Sequence, residues 1–540
     1  MKKKNLRSIF MLTLMLTVTT GSFAQEIVWE NNFGGSGWDY YYGVTAVSDG
    51  SVAVGYSYKS SFENGDWADV TGKGSDDAII VKYDNSGSVV WKKNFGGSGK
   101  DCFTSVTAVS DGIVAVGHSE YTSFGNGDWT GIKNKGGIYD ATIVKYDNSG
   151  NVVWKKNFGG SSPEYFKSIT TVSDGIVVVG FSAEGAFGNG DWSGIIGKGG
   201  EDAIIVKYDN SGNVVWKKNF GGWDDDCYLS VTAVSDGVVA VGTSFGGLYG
   251  SFGNGDWTGV TGKGSSDAII VKYNSSGSVV WKKNFGGMHG DRYLSVTTLS
   301  DGIVATGYSV SGSFDNGDWV GVTAKGTEDA IIVKYNNSGN VVWKQNFGGS
   351  KIDCFTSVIT TSDGIVAVGN STSSTSGDWI GSWGYGDYDA IIVKYNNSGN
   401  VVWKKRFGGS DEDYFESVTT VSNNVVVAGY SRSISYSGNG GSDAITVKYT
   451  TNSVGIIETG NETSLLVYPN PTDGEFIIED KELTINNVEI FDIYGKKQSF
   501  SHLIFTSSNH LINLSHLSAG IYFVKICTEA GEVVKKVVKE

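Results

Sequence analysis

DAIIVKYDNSGNVVWKKNFGG, Asp202 to Gly222, recurs in close copies along most of the chain. The copies at the two ends are incomplete. IVWENNFGG from Ile27 is the back half alone, and DAITVKY from Asp443 is the front half alone. A ring of repeats has no natural end, so its last unit must be fastened to its first. A repeat divided between the two ends of its own array does that.

Trp29, Trp91, Trp154, Trp216, Trp281, Trp343 and Trp403 mark seven copies, spaced by 62, 63, 62, 65, 62 and 60 residues. Each unit holds four short pieces rich in Val, Ile and aromatics. In the second unit these are VVWKKNF from Val89, SVTAVS from Ser105, IVAVGHS from Ile113 and ATIVKY from Ala141. Gly, Asn, Asp and Ser punctuate them, as turns between strands require. Asp111–Gly112 makes a two-residue hairpin turn, and DNSGN from Asp147 a longer one. Four antiparallel strands per unit describe a propeller blade. The last blade then takes three strands from the C-terminal end of the array and its outer strand from the N-terminus, which removes an open sheet edge. The expectation is an all-β chain: a seven-bladed β-propeller over residues 25–449, a linker over 450–464, and a small Ig-like β-sandwich over 465–540.

At 540 residues the chain exceeds one ordinary core, a limit that stacked repeats escape. Its 78 Gly and three Pro, with 13% aromatics, suit many short strands and turns. Lys2, Lys3, Lys4 and Arg7 precede an apolar stretch and a small-residue site, so residues 1–24 read as a secretory signal peptide cleaved after Ala24. No later stretch is long and apolar enough for a membrane helix. Removing those four cations takes the net charge from −15 to −19, and without a basic stripe a nucleic-acid partner is not expected. Cys102, Cys227 and Cys354 occupy one repeat position in non-neighbouring units, and Cys527 lies in another domain. All four read as free thiols.

The unit DAIIVKYDNSGNVVWKKNFGG followed by SVTAVSDGIVAVG resembles the bacterial β-propeller repeat family called SBBP, over roughly residues 26 to 449. That resemblance implies a surface protein and says little about activity. Beyond Tyr449 the rhythm stops. VYPNPTDGEF from Val467, VEIFDIYGKK from Val488, INLSHLSAGIYFVKI from Ile512 and a basic end resemble the type A C-terminal sorting domain of the type IX secretion system of Bacteroidota. The resemblance implies passage through the periplasm to the outer surface or medium, with residues 465–540 engaging the secretion machinery.

Strand direction places the short turns of each blade on one face and two longer connections on the other. The longest, from His118 to Asp140 in the second unit, exceeds the length usual for a plain connection. These loops repeat GDW, giving Trp67, Trp129, Trp192, Trp257, Trp319 and Trp379, preceded by Asp66, Asp128, Asp191, Asp256, Asp318 and Asp378. An indole beside a carboxylate can stack on a sugar and accept its hydroxyls, so this column is the candidate ligand site. The competing reading makes each Trp a plug between blades. A second column, Asp39, Asp101, Glu164, Asp226, Asp291, Asp353 and Asp413, precedes each inner strand, with an aromatic two residues on. It reads as a structural ring that accepts backbone amides. No cofactor and no metal site are expected, calcium being the cation such a ring could hold. No catalytic residues are assigned, because every acid belongs to a repeated column and His118 and His289 are not equivalent. The expectation is a secreted or surface-displayed binding protein for a glycan or protein ligand, not an enzyme. The alternatives are a polysaccharide-acting hydrolase or lyase, and a structural or adhesion component.

Overall fold

The structure, a computed structural model, describes residues 27–246, 250–372, 375–382, 384–422, 424–433, 441–450, 466–468, 472–479, 485–492, 496–506, 509–528 and 531–540. The expected signal peptide, most of the linker, most of the seventh long loop and part of the YPNP motif lie outside them. Two compact units divide the chain, Glu26–Thr451 and one containing Asn452–Glu540.

The first unit is built from seven four-stranded antiparallel sheets among the described residues. In the second sheet the strands run Asp101–Val109, Gly112–Glu120, Tyr139–Tyr146 and Val152–Phe158, from the inner edge outward. The third strand of each sheet is buried nearly throughout, as its unbroken apolar run requires, because both of its faces meet neighbouring sheets. The outer strand exposes its first two residues, Val152 and Val153 in this case.

The split repeat is resolved by strand exchange. Ile27–Phe33 pairs antiparallel with Asp443–Thr450, Phe33 opposite Ala444 and Ile27 opposite Tyr449, and completes the sheet of Asp413–Val421 and Asn424–Ser431. The inner strands neighbour one another in order, and Asp413–Val421 returns to Asp39–Val47. At that seam the amides of Val44 and Ala46 donate to Ser417 Oγ (3.1 Å) and Thr419 Oγ1 (3.2 Å). Val231 makes the same bond to Ser168 Oγ at 3.2 Å inside the array, so the closing seam is built like an ordinary one.

Each inner strand carries one bulge. Phe103 pairs with Gly117 and Ser105 with Val116, which leaves Thr104 without an opposite residue. Gly117 makes room for it: a Cβ there would lie 1.9 Å from the Cys102 carbonyl oxygen. The same arrangement recurs in all seven sheets.

The second unit is a sandwich of two four-stranded antiparallel sheets. One contains Leu466–Tyr468, Glu475–Glu479, Asn509–Asn513 and Ser501–Thr506; the other contains Lys497–Gln498, Ile485–Asp492, Gly520–Thr528 and Gly531–Lys539. Phe476, Ile478, Ile490, Ile512, Leu514, Val524, Ile526 and Val537 form its core. Cys102, Cys227 and Cys354 are free, and the side chain of Cys527 lies outside the described residues.

Removing residues 25–33 strips the closing sheet of its outer strand and bares the edge of Asp443–Thr450. The expected result is aggregation or a large fall in thermal midpoint. A truncated chain melting at the unchanged midpoint would reject closure by the N-terminal strand.

Candidate functional site

All six GDW tryptophans are fully buried, at 0% exposure. This corrects their reading as stacking platforms, since no sugar can reach them. Trp129 meets Phe95, from the outer strand of the preceding sheet, edge to face at 5.0 Å, and packs on Phe124 of its own loop. It belongs to a core shared by two blades, with Val52, Ile80, Val106 and Tyr146. The competing reading, a plug between blades, is what the packing shows.

The second column explains why the indoles turn inward. Asp101 is buried, and its Oδ1 accepts the Trp129 Nε1–H at 2.9 Å. Its Oδ2 accepts the Gly97 amide at 2.9 Å and the Ser123 hydroxyl at 2.7 Å. The indole bond recurs from Trp67 to Asp39 (3.1 Å), Trp257 to Asp226 (2.8 Å), Trp319 to Asp291 (2.9 Å) and Trp379 to Asp353 (2.9 Å). Asp413, whose loop lacks the tryptophan, accepts from Gly409 N and from the hydroxyls of Ser431 and Ser433. Burial pushes the Asp101 carboxyl up to about 6, against the opposing effect of its four hydrogen-bond donors. Each of these carboxylates is held by hydrogen bonds of its own blade. Among the described residues no group of three or more side chains is placed to hold a metal ion.

The GDW aspartates are half-exposed, but they too are engaged. Asp128 Oδ2 accepts the Gly96 amide at 2.9 Å, just past the outer strand of the preceding sheet, and the Lys73 ammonium at 2.6 Å, from that sheet's long loop. Asp191 pairs likewise with Lys135, Asp256 with Lys198, Asp318 with Lys263 and Asp378 with Lys325. Asp66 Oδ2 accepts the Gly34 amide at 3.0 Å. These are clips between blades, and each exposed pair adds little on its own.

The third blade departs from the pattern in two places at once. Glu164 replaces Asp, and Ala186 stands where the other loops place Ser61, Ser123, Ser251 and Ser313. The longer acid takes the space the missing hydroxyl leaves. Glu164 Oε1 accepts the Gly160 amide at 2.7 Å, while Oε2 is buried without a hydrogen-bond partner. Burial pushes this carboxyl up to about 9, and Trp192 Nε1–H turns to Ser182 Oγ at 3.1 Å.

The position that repeat reading passed over is the bulge. Its occupants are Tyr42, Thr104, Lys167, Leu229, Leu294, Thr356 and Glu416, one from each inner strand, and all seven line a single cavity of about 510 Å³ on the axis. The cavity also touches Tyr58, Asp76, Lys100 and Tyr139, at the roots of the long connections, so it opens on the long-loop face. Thr104 and Thr356 donate their hydroxyls to the carbonyls of Phe166 and Phe415 in the next blade (2.7 and 2.6 Å). The signal was present in the sequence. Three residues after each acid of the second column the position varies among Tyr, Thr, Lys, Leu and Glu, while the flanking aromatic stays.

Around the opening lies an arc of aromatic rings confined to part of the circle. Tyr388 stacks on Tyr414 (5.5 Å), Tyr414 on Tyr430 (4.8 Å), and Tyr430 meets Tyr40 edge to face (4.7 Å). Tyr40 stacks on Tyr56 (5.0 Å), and Trp38 stacks on Tyr58 (5.3 Å) with 41% of its surface exposed. Further round, His118 sits between Tyr139 and Tyr165 at 5.3 and 4.9 Å. Burial holds its imidazole down at about 3, so it is neutral at physiological pH.

Residues 466–540 match the family described as secretion system C-terminal sorting domain. That segment is a sorting domain. Over 245 residues the chain is 22% identical to a regulatory protein of Caulobacter vibrioides, FlaEY, covering 43% of this chain and 26% of that protein. Over 378 residues it is 23% identical to an uncharacterised WD repeat-containing protein of Acanthamoeba polyphaga mimivirus, covering 56% and 27%. The chain thus spans about a quarter of the length of the curated relatives it matches. Among solved structures, the WD40 β-propeller domain of Doa1 superposes with a TM-score of 0.42 at 11% identity, covering 79% of this chain and 97% of that one. A DUF4221 protein from Bacteroides vulgatus gives 0.30 at 9% identity, covering 79% and 97%. These likenesses carry no argument about activity.

Two stability measurements follow from the hub. Trp129→Ala opens a cavity between blades and is expected to cost ~3–5 kcal/mol in denaturant melting. Trp129→Phe keeps a ring but removes one of the donors to the buried Asp101 carboxylate, at about 1–3 kcal/mol. A loss below ~1 kcal/mol for the alanine variant would return the indole to the surface.

Glu164 carries a pH dependence. Its folded-state value of about 9 lies above its ordinary 4.5, so the folded chain holds a proton that the unfolded chain releases. Its contribution is therefore complete below pH 4.5 and is lost as pH rises towards 9, by at most about 1.4 kcal/mol per pH unit. Glu164→Gln, neutral throughout, should gain on the parent chain across that window. A constant difference would place the carboxyl in an ordinary environment.

Proposed function

We propose that this chain is a secreted or cell-surface propeller that binds a glycan at the long-loop mouth of its axial cavity, and that the sorting domain at 466–540 carries it there. The observation that carries this reading is the bulge column. Five kinds of side chain (Tyr, Thr, Lys, Leu and Glu) project from seven nearly identical strands into one cavity. A repeat that served only the ring would repeat there too.

The size and chemistry of the opening support a glycan. A cavity of about 510 Å³ falls within the range of small-ligand pockets. Tyrosine and tryptophan rings offer flat apolar faces to sugar rings, while phenol hydroxyls meet sugar hydroxyls. Trp38 and Tyr58 form such a platform beside the opening.

The test is a glycan array probed with the full chain, followed by solution titration of each hit. Trp38→Ala and Tyr58→Ala should weaken binding at least ~tenfold with little change in melting, as truncation of an aromatic anchor does. Val153→Ala on the outer rim should leave binding unchanged. Glycan binding indifferent to both mouth substitutions would move the site elsewhere.

A further inference from the structure

The cavity is not electrically uniform. Counting blades round the ring, Lys167 of the third and Glu416 of the seventh stand three units apart one way and four the other, on roughly opposite walls. Tyr42 and Thr104 fill the shorter arc between them. Leu229, Leu294 and Thr356 fill the longer one.

Lys167, half-buried, differs from the propeller's buried lysines, of which Lys448 donates to the Asn85 carbonyl at 3.1 Å. Lys82, Lys145, Lys207, Lys272, Lys334 and Lys394 each hold the aspartate of a neighbouring hairpin in an ion pair. Among the described residues no carboxylate lies within ion-pair distance of Lys167 Nζ. Its close company is aromatic, the rings of Tyr165 and Phe181 with centroids 5.3 and 5.4 Å away. Aromatic faces favour a cation without neutralising it. Burial lowers its pKa, which reports the cost of holding that charge with little water. A partly dehydrated ammonium facing a cavity is a seat for an anion. The chain's net charge of −15 argues against indiscriminate anion capture, so preference for an anion must arise locally. The cavity's other lysine, Lys100, is paired with Asp76 at 3.7 Å, which leaves Lys167.

We propose that the ligand of the mouth is an acidic saccharide, whose carboxylate or sulfate enters the cavity and is held by Lys167. The apolar arc of Leu229 and Leu294 takes a ring face, and Glu416 on the far wall offers the anionic group no cationic partner. This rests on the glycan reading above and narrows it to one chemical class.

The experiment presents the full chain with acidic probes (tetragalacturonate, a heparin-derived tetrasaccharide, sialyllactose) and neutral ones (galactotetraose, cellotetraose, lactose). At least one acidic probe should bind, and its carboxyl-reduced or desulfated counterpart should bind at least tenfold more weakly. Lys167→Met and Lys167→Gln should abolish that preference, and Lys167→Arg should keep it. Melting curves of all three variants check that they fold. Equal binding of acidic and neutral probes, or a preference that survives Lys167→Met and Lys167→Gln, overturns the assignment. Binding of neutral probes still weakened by Trp38→Ala would then leave the glycan site standing. Binding of no probe of either kind overturns both.

Discussion

A hydrogen bond from a buried indole to a buried carboxylate, Trp129 to Asp101 in the second blade, fixes the long-loop face. Taking a carboxylate out of water is costly, and the raised pKa of Asp101 shows that the cost is only partly recovered. In return, one carboxylate holds three separate pieces of chain: the glycine turn through Gly97, the start of the long loop through Ser123, and the GDW segment through Trp129. Gly127, at φ 51°, adopts the left-handed conformation that lets the chain swing Trp129 inward. The long loops are anchored near their start and at their middle by these bonds. The rings at their roots, including Trp38 and Tyr58, are positioned by this frame.

The ring was legible in the sequence because a divided repeat has few other physical explanations. Strand identities were equally legible, since turns and β-branched runs alternate at a regular interval. The GDW column was not. A tryptophan beside an aspartate reads the same whether the pair faces water or core. What decides is a set of residues distant in sequence: Phe95 on the preceding blade and Asp101 at the head of the inner strand. The bulge was hidden for a different reason. One extra residue breaks the two-residue alternation, so a strict in-and-out reading of Phe103, Thr104 and Ser105 misassigns the middle one. The glycine opposite, Gly117, is the local mark of that break.

Within one chain the blades act as a natural substitution series, and the series separates two kinds of variation. Where the frame changes, it changes in concert. Glu164 comes with Ala186, acid length exchanged for a hydroxyl. In the sixth blade Arg406 replaces the asparagine found at Asn94, and Tyr385 replaces the lysine found at Lys73. Arg406 then takes over the bond to Asp389 at 2.7 Å, the counterpart of Asn94 to Asp77 at 2.6 Å, and stacks 4.3 Å over Trp379. The lysine's partner had already gone, since the seventh loop has no GDW aspartate.

The bulge column obeys no such rule. Tyr, Thr, Lys, Leu and Glu succeed one another there, and the facing glycine never changes from Gly55 to Gly429. The aromatic two residues after each acid, from Tyr41 to Phe415, stays fully buried throughout. Thr104 and Thr356 tie their strands to the next blade through their hydroxyls, but Tyr, Lys, Leu and Glu stand at the same position with the frame unchanged, so the fold does not require any one of them. Lys167 and Glu416 make the point most sharply. Both are ionisable groups in a partly dehydrated cavity, burial lowering the pKa of the lysine and pushing the Glu416 carboxyl up to about 7. A frame residue there would have a partner or be replaced by an apolar one. Freedom from the frame leaves the contents of the cavity as the constraint on these seven positions.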